Sequence, residues 1–296
     1  MKVGVVGLGS MGLGAALNLQ RAGHATAGCD VRPGAGDELL AIGGTCTASP
    51  GDLPDGLDAL VVFVVNAAQA TDVLAACLDR VTQGGVVLCC TTVAPEVART
   101  LAAQVTDAHR LYLDAPVSGG AVGARAGSMT VMASGDPAAF TRAAPVLDAI
   151  AGKVWRLGDA PGVGSTVKMV NQLLAGVHIA VAGEALALGI RAGADPQTLF
   201  DVISSSAGSS WMWQNRVPHI LAGDDTPLSS VNIFVKDLGI VLDQARALTF
   251  PLPMASAAHQ LFLAAAAAGH GGRDDAFVIR VWEALAGIAL PKPGAS

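Results

Sequence analysis

Val3-Gly4-Val5-Val6-Gly7-Leu8-Gly9-Ser10-Met11-Gly12 stands near the start of the chain: an apolar, valine-rich run feeds three glycines spaced GxGxxG, and Leu17-Asn18-Leu19 follow at helical spacing. Strand, tight turn and helix are the elements this order predicts. Gly7 permits the turn, Gly9 lets backbone approach a pyrophosphate, and Gly12 lets helix and strand pack closely. The positive end of the helix then faces the phosphate charge. Gly7, Leu8, Gly9, Ser10, Met11 and Gly12 are therefore the candidate cofactor-binding loop.

The same alternation continues outward. Short apolar runs at Val3–Val6, Ala25–Asp30, Leu60–Val65, Val86–Cys90, Leu111–Asp114, Thr130–Ala133 and Val154–Leu157 are separated by helical patterns starting near Met11, Ala68, Pro95 and Pro137. Such alternation predicts βαβ units and a mostly parallel sheet. Strands without polar alternation, such as Leu60 to Val65, need cover on both faces. Asp30 ends the second strand eighteen positions after Gly12, where a carboxylate accepts from adenosine ribose hydroxyls and repels a 2′-phosphate. NAD is thus expected over NADP, with Arg32 as the competing feature that can turn toward a 2′-phosphate. Val65, Asn66 and Thr92 lie at other carboxyl ends of strands, where open α/β sheets place ligand-contacting loops.

Beyond Pro161-Gly162 the pattern changes. A helical run from Val163 to about Ala192 precedes helices near Pro196–Ser205, Ser210–Ala222, Val231–Thr249, Leu252–Ala268 and Ala276–Ala286, with no good strand. The expected architecture is an N-terminal α/β Rossmann domain with a doubly wound parallel sheet over 1–161. An all-α substrate and oligomerisation domain follows over 162–296, joined by a long central helix, 162–192. Gly176, Gly183 and Gly189 cost helix stability but permit close helix packing. Residues 291–296 read as a loose tail.

Composition excludes several classes. The net charge is −6, from 18 Lys and Arg against 24 Asp and Glu, with no basic block, so a nucleic-acid footprint is missing. Cys29, Cys46, Cys77, Cys89 and Cys90 form neither a disulfide framework nor a metal-ligand spacing, which fits a reducing cytoplasm and no bound metal. Met1 leads directly into a strand, leaving no room for a signal peptide. Leu173 to Ile190 is apolar, but His178 and Glu184 interrupt it and favour a buried helix over a membrane span.

Four blocks carry a resemblance. The glycine string with Met11 and Asn18, then Asp114-Ala115-Pro116-Val117-Ser118-Gly119-Gly120, then Gly164-Ser165-Thr166-Val167-Lys168-Met169-Val170-Asn171, and finally Lys236-Asp237-Leu238-Gly239 closely resemble the β-hydroxyacid dehydrogenases. Gln172 to His178, Ser209 to Met212 and Val231 to Asp237 look most like the branch that oxidises L-threonate. The resemblance implies that Lys168 is the catalytic acid/base and that Ser118, Gly119 and Gly120 cradle the substrate carboxylate. It further implies that Asn171 orients the substrate and that Thr92 and Lys236 contact NAD. A base beside the nicotinamide is what alcohol oxidation needs, because hydride transfer leaves a hydroxyl proton behind. Free lysine titrates near about pH 10.4, so desolvation at the domain junction or a neighbouring cation is expected to lower Lys168. The implied activity is NAD-dependent oxidation of a small anionic hydroxy acid, L-threonate to 2-oxo-tetronate, in carbohydrate-acid metabolism. The same motifs admit 3-hydroxyisobutyrate and tartronate semialdehyde. A related branch reduces imines, and lysine at 168 argues for alcohol chemistry instead. A non-catalytic dinucleotide-binding module is the alternative of another class.

Plainer explanations stand beside these roles. Asp30 can cap the turn before Pro33-Gly34, Thr92 can N-cap the helix at Pro95, and Ser118 to Gly120 can be an ordinary loop. Lys168 and the Lys236-Asp237 pair can be solvated helical charges. His178, Trp211, Met212 and Trp213 read as core or packing residues, and Arg125 and Arg216 as unplaced positive charge. Ala- and Leu-rich helices such as Leu261 to Ala268 exceed what one modest domain buries, which points to a homodimer or homotetramer.

Overall fold

A computed structural model describes residues 1–290; the stretch 291–296, read as a tail, lies outside the described residues. The chain forms two compact units, Met1–Lys168 and Met169–Ser296, so the boundary falls inside the long helix.

In the first unit, β1 (Lys2–Val6), β2 (Ala25–Cys29), β3 (Thr45–Thr47), β4 (Leu57–Val62), β5 (Val81–Cys89) and β6 (Leu111–Asp114) form one sheet. Its order is β3-β2-β1-β4-β5-β6, and every neighbouring pair is parallel. Side chains alternate across a strand. Val3, Val5, Val61 and Leu88 pack with Leu17 and Leu19 of α1 (Gly12–Arg21) and with Phe140 and Leu147 of α6 (Pro137–Ile150). Val6, Leu60, Val62 and Val87 pack on the other face with Val73 and Leu74 of α3 (Ala67–Cys77) and with Leu101 and Val105 of α4 (Pro95–Asp107). The doubly wound Rossmann expectation holds.

Two details differ from the sequence expectation. Thr130–Ala133 and Val154–Leu157 do not join the main sheet: β7 (Val117–Ser118), β8 (Met129–Ala133) and β9 (Ala151–Arg156) form a separate one, with β7 antiparallel to β8. An Asp114–Ser134 bridge accompanies them. The short α2 (Asp37–Ala41), α5 (Gly120–Arg125), β3 and β7 were not anticipated, because elements this short show no period.

The second unit takes up α7 (Val163–Arg191) from Met169 onward and continues with α8 (Pro196–Ser204), α9 (Trp211–Ala222), α10 (Val231–Ala247), α11 (Pro253–Ala265) and α12 (Val281–Ala286). A Cβ on Gly176 would meet Leu238 and Phe234 at 3.0 Å, and one on Gly189 would meet Leu199 at 2.3 Å, so both glycines permit the close packing expected. The helix foreseen over Leu252–Ala268 is α-helical to Ala265 and continues as a π-helical turn, Ala266–His270, in which Gly269 takes φ +90°. Ala276–Ala286 splits into a 3-10 stretch, Asp275–Arg280, and α12. Only α7, among the described residues, is long and apolar enough to cross a membrane by length and composition. Ala175, Ile179, Ala182 and Leu186 are buried, while Val170, Leu174, Val181 and Leu188 are exposed. The buried reading therefore holds for one face of the helix only.

Candidate active site

The glycine loop joins β1 to α1 beside β4, where the strand order reverses and open α/β sheets bind ligands. Gly7 has φ +92°, and a Cβ there would lie 2.5 Å from the Phe63 carbonyl oxygen. A Cβ on Gly12 would lie 1.8 Å from the Gly7 carbonyl oxygen, whereas one on Gly9 would meet no protein atom within 4 Å. Met11, at the N-cap of α1, makes no side-chain cap, and the first turn carries no acid. The loop thus leaves backbone N–H groups and open space at a helix N-terminus, and these fit a dinucleotide pyrophosphate.

Asp30 follows β2 and is held against this loop. Its Oδ2 accepts from the Leu8 amide at 2.8 Å and its Oδ1 from the Arg32 amide at 2.9 Å. The Arg32 guanidinium adds Nε to Oδ1 and Nη2 to Oδ2, both at 3.0 Å, and Nη2 also donates to the Leu8 carbonyl at 3.1 Å. Burial raises the Asp30 carboxyl, but the hydrogen bonds and charge of Arg32, with the Leu8 amide, outweigh it and hold Asp30 below its usual value. The turn-capping role of Asp30 is thus the one its hydrogen bonds display.

The other strand ends are less uniform. Val65 is exposed and its amide donates to Gln69 Oε1 at 2.8 Å. Asn66 caps α3, its Oδ1 accepting from the Gln69 amide at 2.9 Å, so its side chain already has a structural task. Thr92 does not cap α4: the N-cap is Ala94, because Pro95 opens the helix. Thr92 lies two residues earlier in the loop after β5, half-buried.

Ser118 ends β7, and Gly119 and Gly120 have φ +127° and +61°. Positive φ at both positions favours glycine, and the turn they make opens α5 at Gly120. Position comes from α1: Asn18 Nδ2 donates to the Ala124 carbonyl at 2.8 Å, and a Cβ on Gly14 would lie 2.7 Å from the Ala124 carbonyl carbon.

Asp114, wholly buried at the end of β6, ties down the start of α7. Its Oδ2 accepts from the amides of Gly162 at 2.9 Å and Ser165 at 2.8 Å, and its Oδ1 from the Ser165 hydroxyl at 2.7 Å. Ser134 Oγ donates to Asp114 Oδ2 at 3.4 Å and accepts from the Gly164 amide at 2.9 Å. Burial pushes the Asp114 carboxyl up, and these donors work against it. Lys168, one turn beyond Ser165, is 7% exposed, which disposes of the solvated-lysine reading.

Asn171 follows one turn later on the same helix. In the second unit its Nδ2 donates to Gln172 Oε1 at 3.0 Å, and Gln172 Nε2 donates to Asp237 Oδ2 at 2.6 Å. Lys236 Nζ pairs with Asp237 Oδ1. Gln172 and Asp237 are buried at 7% and 2%, so Lys236-Asp237 is not an exposed charge pair.

The remaining candidates resolve differently. Trp213 is core and stacks on Phe200, but Trp211 is 63% exposed, against its reading as a packing residue. His178 is half-buried and lines a cavity of about 240 Å³ with Val181, Ile203, Ser206 and Trp213. Arg125 pairs with Glu38 at 2.7 Å, and Arg216 makes a buried two-point contact to Asp275 at 2.6 and 3.1 Å. Neither arginine is loose positive charge. Asp114, Gln172 and Asp237 are the residues that sequence reasoning did not place; all three lay within quoted stretches, but their partners were not visible.

Strand order, glycine loop and Asp30 together define a Rossmann domain of the dinucleotide-binding class. Residues 2–158 match the family described as the NAD binding domain of 6-phosphogluconate dehydrogenase, and residues 162–282 the one described as NAD-binding of NADP-dependent 3-hydroxyisobutyrate dehydrogenase. The L-threonate dehydrogenase of Cupriavidus necator is 52% identical over 295 residues, covering 98% of this chain and 97% of its own. A crystal structure of 3-hydroxyisobutyrate dehydrogenase from Salmonella typhimurium is 52% identical, with TM-score 0.91 over 95% of this chain and 99% of that one. The Mycobacterium tuberculosis 3-hydroxyisobutyrate dehydrogenase with L-serine is 30% identical, with TM-score 0.82 over 94% and 98%. The chain belongs to the β-hydroxyacid dehydrogenases related to 3-hydroxyisobutyrate dehydrogenase, and within them it is most like L-threonate dehydrogenase. It is a hydroxyacid dehydrogenase of the NAD(P)-binding kind.

Proposed function

We propose that the chain oxidises L-threonate to 2-oxo-tetronate with Lys168 as general base. The observation that carries the proton-transfer role is the burial of Lys168, in the second turn of a helix whose start is fixed by Asp114. Bound NAD supplies the hydride acceptor. Lys168 Nζ takes the proton of the reacting hydroxyl, and Asn171, one turn on, orients the acid. The Ser118-Gly119-Gly120 turn receives its carboxylate through backbone N–H groups and the Ser118 hydroxyl. Gly7 to Gly12 and Asp30 hold the dinucleotide, with Thr92, Lys236 and the Val65-Asn66 backbone as further contacts.

Substrate choice rests on likeness to proteins named for L-threonate. A second reading, 3-hydroxyisobutyrate, is favoured by the equally identical Salmonella chain. NAD is proposed over NADP because the Asp30 carboxylate occupies the strand end, with Oδ2 on the Leu8 amide of the glycine loop and Oδ1 on Arg32. Arg32 partly neutralises it, so the preference is expected to be modest. The free thiols fit a cytoplasmic protein, and the exposed apolar residues of α7 fit a homodimer or homotetramer, which light scattering would read as mass above one chain.

Reduced-dinucleotide production across L-threonate, D-threonate, erythronate, glycerate and 3-hydroxyisobutyrate, with NAD and NADP in parallel, tests the reading. Highest kcat/KM on L-threonate with NAD is expected. Preference for 3-hydroxyisobutyrate installs the second reading, and silence across the panel with intact dinucleotide binding contradicts both.

A further inference from the structure

Three polar side chains of the second unit form a relay whose direction is fixed from one end. The Asp237 carboxylate only accepts, and it takes donors from Lys236 Nζ and from Gln172 Nε2. A glutamine amide carries a donor and an acceptor on opposite corners. With its N–H₂ committed to Asp237, Gln172 turns its oxygen toward Asn171, and Asn171 Nδ2 donates to it at 3.0 Å. Asn171 is thereby held with one N–H spent on Gln172, leaving Oδ1 and a second N–H for other partners. Alone, the two orientations of an asparagine amide differ little in energy. Here the buried Asp237 carboxylate selects one of them through a neighbouring amide.

Resting on the functional reading above, we propose that Gln172 is a positioning residue that sets the hydrogen-bond polarity of Asn171, and so favours hydroxy acids bearing a second, adjacent hydroxyl. The fixed Asn171 presents an acceptor and a donor side by side. A vicinal diol answers both, with one hydroxyl donating to Oδ1 and the next accepting from Nδ2. An acid carrying a methyl group in that place answers only one, and a site built for a substrate hydroxyl discriminates against the analogue lacking it.

Reversing the relay tests this. Gln172→Glu sets two carboxylates against each other, and Asp237→Asn removes the fixed acceptor. The double variant, Gln172→Glu with Asp237→Asn, restores every bond with the charge moved: the amide introduced at position 237 donates to the carboxylate introduced at position 172, whose other oxygen accepts from Asn171. Steady-state kinetics on L-threonate and 3-hydroxyisobutyrate, NADH titration by fluorescence and thermal melting are measured for all four proteins. For Gln172→Glu, kcat/KM on L-threonate is expected to fall roughly tenfold or more, chiefly through KM, as loss of one oriented hydrogen bond implies. The fall on 3-hydroxyisobutyrate is smaller, and NADH affinity is kept. The double variant returns to within about threefold of wild type, as coupled partners do. Equal losses on both acids that track the melting temperature, or a double variant no better than the worse single one, overturn the proposal. If wild type prefers 3-hydroxyisobutyrate, the substrate reading and the vicinal-diol preference fail, while rescue on that acid still decides the relay.

Discussion

The two units carry their candidate chemistry in different materials. In the first, the cofactor loop is backbone: Gly7 at φ +92°, Gly12 with no room for a Cβ, and amides left uncapped at the start of α1. In the second, Asn171 is held by side chains in a buried pair, Gln172 with Asp237, and the purely structural pair Arg216 with Asp275 is built the same way, the partners lying 65 and 59 residues apart. A backbone site tolerates many side chains and no added Cβ. A side-chain network tolerates backbone variety and no unmatched partner.

That contrast can be broken most sharply at Gly12. Gly12→Ala places a methyl 1.8 Å from the Gly7 carbonyl oxygen, which neither α1 nor the turn can absorb. Dinucleotide binding is expected to vanish in a fluorescence titration, with destabilisation of about 1–3 kcal/mol or more from overpacking. Normal affinity would show that the loop is not built on close approach.

Arg216→Ala is the counterpart in the helical unit. It leaves the Asp275 carboxylate, 0% exposed, without its guanidinium partner. Chemical denaturation should register a loss of about 3–5 kcal/mol, as removal of one member of a buried pair does. Dinucleotide affinity of the folded protein should stay unchanged. A loss under about 1 kcal/mol would reduce the pair to the worth of a surface contact.

A smaller effect follows from pH. Burial pushes the Asp275 carboxyl up from 3.8 to about 6, although Arg216 pulls it down, and Asp274 adds to the rise. A carboxyl raised on folding holds its proton more tightly in the native state. Its contribution is therefore complete below about pH 4 and is lost as pH climbs through about 6. Asp275→Asn should be less stable overall, yet flatter in stability between those values than the wild type. An unchanged slope would assign the pH dependence elsewhere.

The same contrast explains what the sequence disclosed. Glycine spacing is local, so Gly7 to Gly12, Asp30 and the long apolar helices were legible, with helix ends within a few residues. Pro95 and Pro137 marked their helix starts because proline suits the first turn. Thr92 misled as a cap because Pro95 itself sets the start of α4 and gives the N-cap to Ala94. The three-residue β3 and the two-residue β7 offered no period to read. Asp114 was visible as a residue, but its hold on Gly162 and Ser165 spans 48 and 51 positions, and nothing in spacing encodes that. Gln172 stood in a quoted stretch without a role, since its partner lies on another helix.

Lys168→Ala, assayed for turnover and for NADH binding in the same preparation, bears most directly on the division between a backbone site that binds and a side chain that reacts. Loss of a positioned general base should lower kcat by about 10²- to 10⁴-fold, while the dissociation constant for NADH stays at its wild-type value. Turnover near wild type, or a collapse of NADH affinity that accounts for the lost rate, would contradict the assignment of Lys168 to the chemical step.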